Sequence, residues 1–220
     1  MLIHKIFFVN VVILLVHICS CNNNPKSINS KKSEVQKQNF KKDIPITKKG
    51  KFIYAYSLTK EYIQKAGLRI LENGFDSICI RLWYIYSFGP SWQVTEMRKS
   101  SEGWVGEFIL LTEKMNKNDS SRYIQKTSFF KKPISGWDIF IMQILSKNIT
   151  FLPSDLSIPG YQINADGHMV VVEIATKEYY RIFDYSDLKF NLNIKEARNM
   201  ADIMILIEKE FGVERLNKEF

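Results

Sequence analysis

Histidine is scarce in this chain of 220 residues, which has three, and His4 and His17 lie in an apolar N-terminal segment. Only His168 remains for a folded domain, and a single imidazole excludes a zinc or copper site built from several histidines. A Ser-His-Asp triad would depend on His168, yet no serine stands in a G-x-S-x-G sequence. We therefore expect His168 at a surface turn and assign it no catalytic role.

Cysteine is equally scarce, with Cys19, Cys21 and Cys79 as its three occurrences. Cys19 and Cys21 lie in the N-terminal segment whose pattern, described below, implies that Cys19 is removed and Cys21 modified, and this would leave Cys79 without a partner for an intrachain disulfide. Cys79 falls on a predicted strand and is expected to pack as a small buried side chain. Dinucleotide-binding, Walker A and EF-hand sequences are also absent. The sequence therefore predicts no cofactor, no metal site and no catalytic residue.

Basic residues outnumber acidic ones, but the excess is unevenly placed. The chain has 31 basic and 23 acidic residues, a net charge of +8 and a pI near 9.2. Nine lysines against two acids fall in residues 22–51, whereas residues 52–220 hold 21 residues of each sign. Basic residues clustered on a domain favour phosphate binding. Because residues 52–220 are neutral as a whole, the sequence predicts no nucleic-acid partner.

The first 21 residues have the pattern of a targeting signal. Ile6–Ile18 is apolar apart from Asn10 and His17, and its 13 residues are too few to cross a bilayer, which takes about 20. Such a segment is typical of the h-region of a secretory signal. It ends in Ile18-Cys19-Ser20-Cys21, which resembles the bacterial lipobox.

The lipobox resemblance implies that residues 1–20 are a signal peptide cut after Ser20. It also implies that Cys21 carries a diacylglyceryl group on its sulfur and an acyl group on its amine. Several acyl chains hold a protein durably on a membrane, so the membrane is the first predicted partner. An ordinary cleaved signal and an uncleaved anchor are the alternatives.

Residues 22–51 are rich in Asn, Lys and Ser and contain few large apolar side chains. This composition predicts a disordered basic tether. Together with the lipidated Cys21, the tether makes up the predicted region 21–51. No acidic run follows Cys21, in contrast to typical surface-exported lipoproteins of Bacteroidetes. Asn22 also differs from the aspartate that retains some lipoproteins in the inner membrane. The resemblance thus implies an outer-membrane lipoprotein of the bacterial cell envelope with its domain in the periplasm.

Residues 52–220 are expected to form a single α+β domain around an antiparallel sheet. Ser77–Tyr86 alternates strictly between two sets of side chains, which predicts a strand with two faces. Phe88–Ser91 and Asp166-Gly167 are predicted turns. Three further strands continue an antiparallel meander and two more form a hairpin: Trp92–Lys99, Trp104–Thr112, Tyr123–Phe130, Met169–Thr176 and Tyr179–Tyr185.

Two or three helices are predicted to accompany the sheet. The first covers Leu58–Ala66, with Thr59 as its candidate cap. A capping box at Ser135–Asp138 predicts the start of another. Asn193 is the candidate cap of an amphipathic C-terminal helix that ends at Gly212.

Three parts of the domain resemble uncharacterised lipoproteins of Bacteroidetes, namely Asp76–Tyr86, Asp166–Tyr185 and the closing helix. The resemblance implies no activity, so it assigns no site residue.

Aromatic side chains supply the candidate binding surface. Trp83, Trp92 and Trp104 crowd the predicted meander together with Arg81. Such side chains stack on sugar rings or anchor a protein partner. Packing inside the domain is the alternative, and an exposed face shared by Arg81, Trp83 and Trp92 would favour binding.

Acidic residues supply a second candidate site. Two carboxylates about 5–10 Å apart can hydrolyse a glycoside. Glu173 is the most informative acid because its neighbours in Met169–Ile174 are apolar. Solvent-facing positions are the alternative for all the acids on or near predicted strands, which are Glu96, Glu102, Glu107, Glu113 and Glu173.

We therefore expect a non-enzymatic envelope lipoprotein that binds an envelope protein or a glycan. An envelope hydrolase with paired carboxylates is one alternative, and it needs two acids that meet in a concave pocket. An inhibitor or immunity-type protein is another, and it needs a neutral or acidic protruding face.

Overall fold

The computed structural model describes residues 40–86, 91–163 and 167–213. They form seven strands and three helices, which confirms the predicted α+β class with its C-terminal helix. The strands are β1 Lys41–Asp43, β2 Ile78–Tyr86, β3 Ser91–Ser100, β4 Gly103–Met115, β5 Arg122–Lys131, β6 His168–Thr176 and β7 Tyr179–Ser186. The helices are α1 Tyr54–Lys65, α2 Trp137–Ser146 and α3 Lys195–Phe211.

All seven strands belong to one sheet, in the order β1-β7-β6-β2-β3-β4-β5. β2 to β5 form the predicted antiparallel meander, and β6 and β7 form the predicted hairpin. Antiparallel pairing of β6 with β2 joins the hairpin to the meander, which the sequence did not indicate. The predicted lipobox and the predicted turns at Phe88–Pro90 and Asp166 lie outside the described residues.

Helices cover both faces of the central strands. Ile80 and Leu82 of β2 face the side of the sheet on which α2 and α3 pack, whereas Cys79 and Trp83 face α1. A strand that is buried on both faces carries apolar side chains on both. This arrangement explains why the alternation of Ser77–Tyr86 places large side chains in both sets, and it confirms the burial of Cys79.

The disordered-tether prediction is wrong for residues 40–51. Lys41–Asp43 forms β1 and pairs in parallel with β7, where the N–H of Lys41 donates to the carbonyl of Glu178 at 2.9 Å. Phe40 and Ile44 pack against the core on the α1 side. Backbone pairing and two apolar side chains, one before and one after Lys41–Asp43, therefore hold this segment on the edge of β7.

The early start of the fold changes its charge. Residues 40–51 contain five lysines and one aspartate. Asp43 accepts a hydrogen bond from Nε of Arg181 at 2.9 Å, and Lys42 donates to Glu72 at 2.8 Å. With residues 40–51 included, the folded domain has a net positive charge. The sequence analysis predicted a neutral domain because it started the domain at residue 52.

The predicted cap of the first helix is also wrong. α1 begins at Tyr54, so Thr59 lies one turn inside the helix. The Thr59 side chain is buried, and its hydroxyl donates to the carbonyl of Ala55 at 2.9 Å. The earlier start follows from Ile53 and Ala55, which are both buried against the sheet.

The two later helices differ from prediction at their first turns. Ser135 does not cap α2, because its backbone N–H donates to the carboxylate of Glu210 at 2.7 Å and the helix begins after Gly136. No side-chain cap bond is present at the start of α3, where Asn193 was expected. The predicted end of α3 is confirmed at Gly212, whose φ of 56° is left-handed and suits glycine.

Candidate functional site

The four residues of the predicted binding surface do not share an exposed face. Arg81 and Trp83 are 0% exposed, and Trp92 is 8% exposed and packs on Tyr62 of α1. Trp104 lies on the opposite face, half-buried, with its ring 6.0 Å from that of Trp137. β2 is central in the sheet, so helices enclose its side chains on both faces. The condition set for a binding surface at these residues is therefore not met.

Arg81 lies instead in a line of charged side chains, here called the charged row, that crosses the α1 face of the sheet. Strand register places Glu173, Arg81, Glu96 and Glu107 side by side on β6, β2, β3 and β4. Arg81 donates to Glu96 from Nε at 2.9 Å and from Nη2 at 2.6 Å, and to Glu173 from Nη1 at 3.1 Å. Arg98 donates to Glu96 at 2.9 Å and to Glu107 at 3.0 Å.

Glu173 is the most enclosed carboxylate of the charged row, at 1% exposure. Its Oε2 also accepts a hydrogen bond from the indole N–H of Trp83 at 2.8 Å, and its Oε1 accepts one from the Tyr180 hydroxyl at 3.0 Å. Burial, reinforced by the Glu173 charge, raises the pKa of Tyr180 far above its usual value. The hydroxyl therefore stays protonated and donates, and Trp83 acts as a hydrogen-bond donor to the row.

The charged row has almost no space beside it. The cavity between α1 and the sheet that reaches Glu173 and Tyr180 has a volume of about 30 Å³. That is room for one or two waters, whereas ligand pockets measure about 300–1,000 Å³. Arg81 and Arg98 also engage the carboxylates of Glu96, Glu107 and Glu173. The row therefore holds four strands together and is not built to receive a substrate.

The two remaining acids of the sequence prediction stand apart from the charged row. Glu102 is exposed in the turn between β3 and β4. Glu113 lies near the end of β4 and pairs with Arg122 of β5 at 3.4 Å. Of the five predicted acids, the structure thus brings together Glu96, Glu107 and Glu173.

A different set of acids lines an open cavity at the end of β7, here called the acidic cavity. Its volume is about 330 Å³, which lies within the range of ligand pockets. Thr47 and Tyr54 contribute to its wall, together with Asp155, Asp184 and Asp187. Sequence reasoning missed these aspartates because Asp155, at the start of a 3-10 helix, reaches the end of β7 only through the tertiary fold, and no sequence pattern marks Asp184 or Asp187 as cavity residues.

Asp155 and Asp184 are buried without a basic partner. Neither forms an ion pair within the described part of the chain, and both are less than a tenth exposed. Asp184 accepts a hydrogen bond from the Ser154 hydroxyl at 2.9 Å, and Asp155 accepts one from the N–H of Ser186 at 2.9 Å. Burial, together with the nearby Asp155 charge, raises the pKa of Asp184 to about 7. Burial also raises the pKa of Asp155.

Asp187 completes the acidic wall in a constrained conformation. Its φ of 53° is left-handed, and its N–H donates to the carbonyl of His168 at 2.8 Å. A Cβ on Gly167 would overlap the Asp187 carboxylate, so a larger residue at position 167 would displace that side chain. Across residues 40–86, 91–163 and 167–213, no group of three or more His, Cys, Asp or Glu side chains is arranged to hold a metal ion.

The sequence analysis expected His168 at a surface turn, and this prediction is wrong. His168 begins β6 and is half-buried, with its ring 4.8 Å from that of Tyr86 and 6.0 Å from that of Tyr84. Pairing with Tyr86 directs the imidazole to the α2 and α3 face, whereas Asp184 pairs with Val171 and faces α1. The imidazole and the Asp184 carboxylate therefore point to opposite sides of the sheet.

The third candidate is the edge strand β5, which lies at the end of the sheet opposite β1. Eight of its ten residues are exposed. Three aromatic side chains are among them, with Tyr123 at 52%, Phe129 at 49% and Phe130 at 70% exposure. The strand has three basic residues and no acid. Exposed aromatic surface of this kind is typical of interaction sites.

Comparison with known proteins does not choose among the charged row, the acidic cavity and β5. No protein-family model matches the chain, and no curated protein matches it. Among the helices of the described ranges, none is long and apolar enough to cross a membrane. The described residues thus form an α+β domain that contains the buried charged row, the open acidic cavity and the exposed, basic edge strand β5.

Proposed function

We propose that the chain is a lipid-anchored protein of the bacterial cell envelope whose α+β domain binds a partner and does not catalyse a reaction. The anchor is supported by the lipobox resemblance of Ile18–Cys21 and by the short apolar segment before it. An outer-membrane site with the domain in the periplasm follows from the residues after Cys21. The 18 residues from 22 to 39 span at most about 60 Å, so the domain stays close to the membrane.

The observation that carries the binding proposal is the exposure of β5. Soluble domains protect the edges of their sheets with short strands, charges or covering segments. At the other edge of this sheet, the three-residue strand β1 covers β7. β5 is ten residues long and keeps its aromatic side chains in solvent. Such an edge is a surface for a partner, an envelope protein or a glycan, in the anchored protein.

The outer surface of α2 adds to the exposed apolar area. Ile139, Met142 and Leu145 recur on one side of the helix and are 48%, 63% and 44% exposed. Phe140 and Ile144 on its other side are buried in the core. A helix that is apolar on both sides has more hydrophobic surface than the fold itself uses, which supports an interaction role for this domain.

Lipid anchoring is tested by Cys21→Ser in cells grown with a labelled fatty acid. The variant should lose the label and leave the membrane fraction, because the acceptor thiol is gone. Cys19→Ser is the matched control and should keep both properties. Full labelling of the Cys21→Ser chain would show that the assigned site is wrong.

Partner binding is tested by photo-crosslinking in cells. A photoreactive residue replaces exposed Gln125 or Thr127 of β5, and exposed Lys48 at the opposite edge serves as the control position. Adducts with one envelope component should form from β5 and not from position 48. They should disappear in Cys21→Ser cells. Equal adducts from all three positions, or none, would count against the proposal.

The acidic cavity supports a second candidate function, an envelope hydrolase with paired carboxylates. It is favoured by one observation, that Asp155 and Asp184 both line a cavity of about 330 Å³ and both have raised pKa values. A raised pKa suits a general acid, and an ionised neighbour suits a base or nucleophile. Asp155 and Asp184 would be the two acids of this candidate, in place of the predicted glutamates.

The hydrolase candidate is tested with a panel of nitrophenyl glycosides at pH values below about 7, where Asp184 retains its proton. Turnover by the full chain that is lost in Asp184→Asn would support it. No turnover across the panel would count against it. The inhibitor alternative needed a neutral or acidic protruding face, whereas β5 is basic.

A further inference from the structure

The backbone of β5 is open for pairing along its outer side. β5 is the last strand in the sheet order, and its one strand neighbour among the described residues is β4. Alternate residues of an antiparallel edge strand point their N–H and C=O groups away from the sheet, so about half of its ten residues do so. This backbone is a template for one more strand.

The two faces of β5 differ in chemistry. On the face shared with α2 and α3, Phe129 lies opposite Phe108 with the rings 6.5 Å apart, and Tyr123 follows on the same face. On the α1 face lie Arg122 and Lys126, in the same alternating set as Ile124 and Phe130, whereas Lys131 falls in the set of Phe129. Over residues 122–129, an added strand would therefore meet Tyr123 and Phe129 on one face and the cations Arg122 and Lys126 on the other.

Most charged residues on and beside β5 are basic. Residues 114–132 contain six basic residues and one acidic residue, Asp119. The acids of β4 that lie opposite β5 residues are Glu107 and Glu113, and they already pair with Arg98 and Arg122. A second copy of β5 placed antiparallel would bring Lys126 close to its own symmetry mate, and like charges on adjacent strands destabilise pairing. These charges therefore disfavour pairing of the edge with its own copy and complement an acidic chain.

We propose that β5 binds an extended segment of a partner protein as an eighth strand, in which Asp or Glu alternates with apolar residues. The acids face Arg122 and Lys126, and the apolar residues lie against Tyr123 and Phe129. This inference rests on the proposed function, since it names the chemistry of the partner that the anchored domain binds. The partner contributes backbone hydrogen bonds for affinity and alternating side chains for specificity.

The binding experiment uses the full chain in detergent and a capped ten-residue peptide of alternating valine and glutamate. Hydrogen exchange should slow in the fragment that covers residues 122–131, because the added strand pairs with its outward N–H groups. A valine–lysine peptide of the same length should give no protection. The N-methylated valine–glutamate peptide keeps the charge but has no backbone N–H, and it should bind at least about tenfold more weakly.

Paired charge reversals separate a specific edge from general attraction. Lys126→Glu with Lys132→Glu should weaken binding of the valine–glutamate peptide at least about tenfold. Lys48→Glu with Lys49→Glu changes the net charge equally at exposed positions near β1, and should change binding less than about twofold. Equal losses in both variants would overturn the inference.

Three other results would also overturn it. They are equal binding of the N-methylated peptide, protection of β5 by concentrated chain without peptide, and protection by vesicles of phosphatidylglycerol and phosphatidylcholine without peptide. The second result identifies a second copy as the occupant, and the third identifies a lipid surface. Crosslinks from β5 in cells without peptide binding would leave the proposed function standing and remove this inference. Peptide binding without crosslinks would remove the proposed function.

Discussion

Two groups of buried carboxylates lie beside α1, and the protein stabilises them in opposite ways. In the charged row, Glu96 and Glu173 share the guanidinium of Arg81, which is itself fully buried. In the acidic cavity, Asp155 and Asp184 receive hydrogen bonds from a hydroxyl and an N–H and have no basic partner within the described ranges. The row is closed and its carboxylates are paired with cations, whereas the cavity is open and the pKa of Asp184 is raised to about 7.

The two groups show two ways in which a protein can offset the cost of burying a carboxylate away from water. An isolated buried carboxylate is costly, so it must be paired with a cation or take up a proton. Pairing joins the four strands of the charged row through their side chains. Protonation leaves the charge adjustable, and this is the property that a binding or catalytic pocket uses.

The largest expected effect comes from removing the shared cation. Arg81→Met leaves two buried carboxylates without their partner, and the free energy of unfolding should fall by about 3–5 kcal/mol. Urea denaturation of the full chain measures it as a lower midpoint with an unchanged slope. Arg122→Met removes the exposed pair with Glu113 and should cost at most about 0.5 kcal/mol. Similar losses in both variants would mean that the row is not a stabilising centre.

In the acidic cavity, removing a charge is expected to raise the free energy of unfolding, in contrast to Arg81→Met in the charged row. Because the folded pKa of Asp184 is raised to about 7, the folded chain keeps a proton that the unfolded chain has already lost. Stability should therefore fall as pH rises from about 4 to about 7 and level off above. Asp184→Asn keeps the acceptor for Ser154 without the charge, and should raise the free energy of unfolding by up to about 4 kcal/mol at pH 8, since each unit of pKa shift corresponds to about 1.4 kcal/mol.

The gain from Asp184→Asn should shrink steadily as the pH is lowered from about 7 to about 4, because the aspartate of the folded wild type becomes neutral in that range. Glu102→Gln, in the exposed turn before β4, is the matched control and should leave the pH profile unchanged. An Asp184→Asn profile parallel to that of the wild type would contradict the contrast between the two groups.

The sequence predicts the strands of the charged row but not the row itself. Period-two alternation predicts that Arg81 and Trp83 share a face, and this is confirmed. Whether that face is exposed depends on the position of β2 in the sheet, which is set by the pairing of β2 with β6. Arg81 and Glu173 are 92 residues apart, so no local pattern connects them.

The two ends of the sheet show a similar limit. Lysine-rich composition predicted that residues 40–51 were disordered, yet backbone pairing with β7 and two apolar side chains, Phe40 and Ile44, order them. Composition averages over a segment, whereas docking depends on a few positions. The sequence predicted β5 as a strand, but not that it would be an edge, because the strand order arises from contacts distant in the chain.

The smallest effect tests a single donor of the charged row. Tyr180→Phe removes the hydroxyl that donates to Glu173 at 3.0 Å, while Arg81 and Trp83 still hold the carboxylate. The free energy of unfolding should fall by about 1–2 kcal/mol, as expected for one buried bond to a charged group. Tyr179→Phe is the matched control, since the Tyr179 hydroxyl makes no hydrogen bond within the described chain, and it should change stability by less than about 0.5 kcal/mol. Equal effects would show that ring packing, not the hydroxyl, stabilises this part of the row.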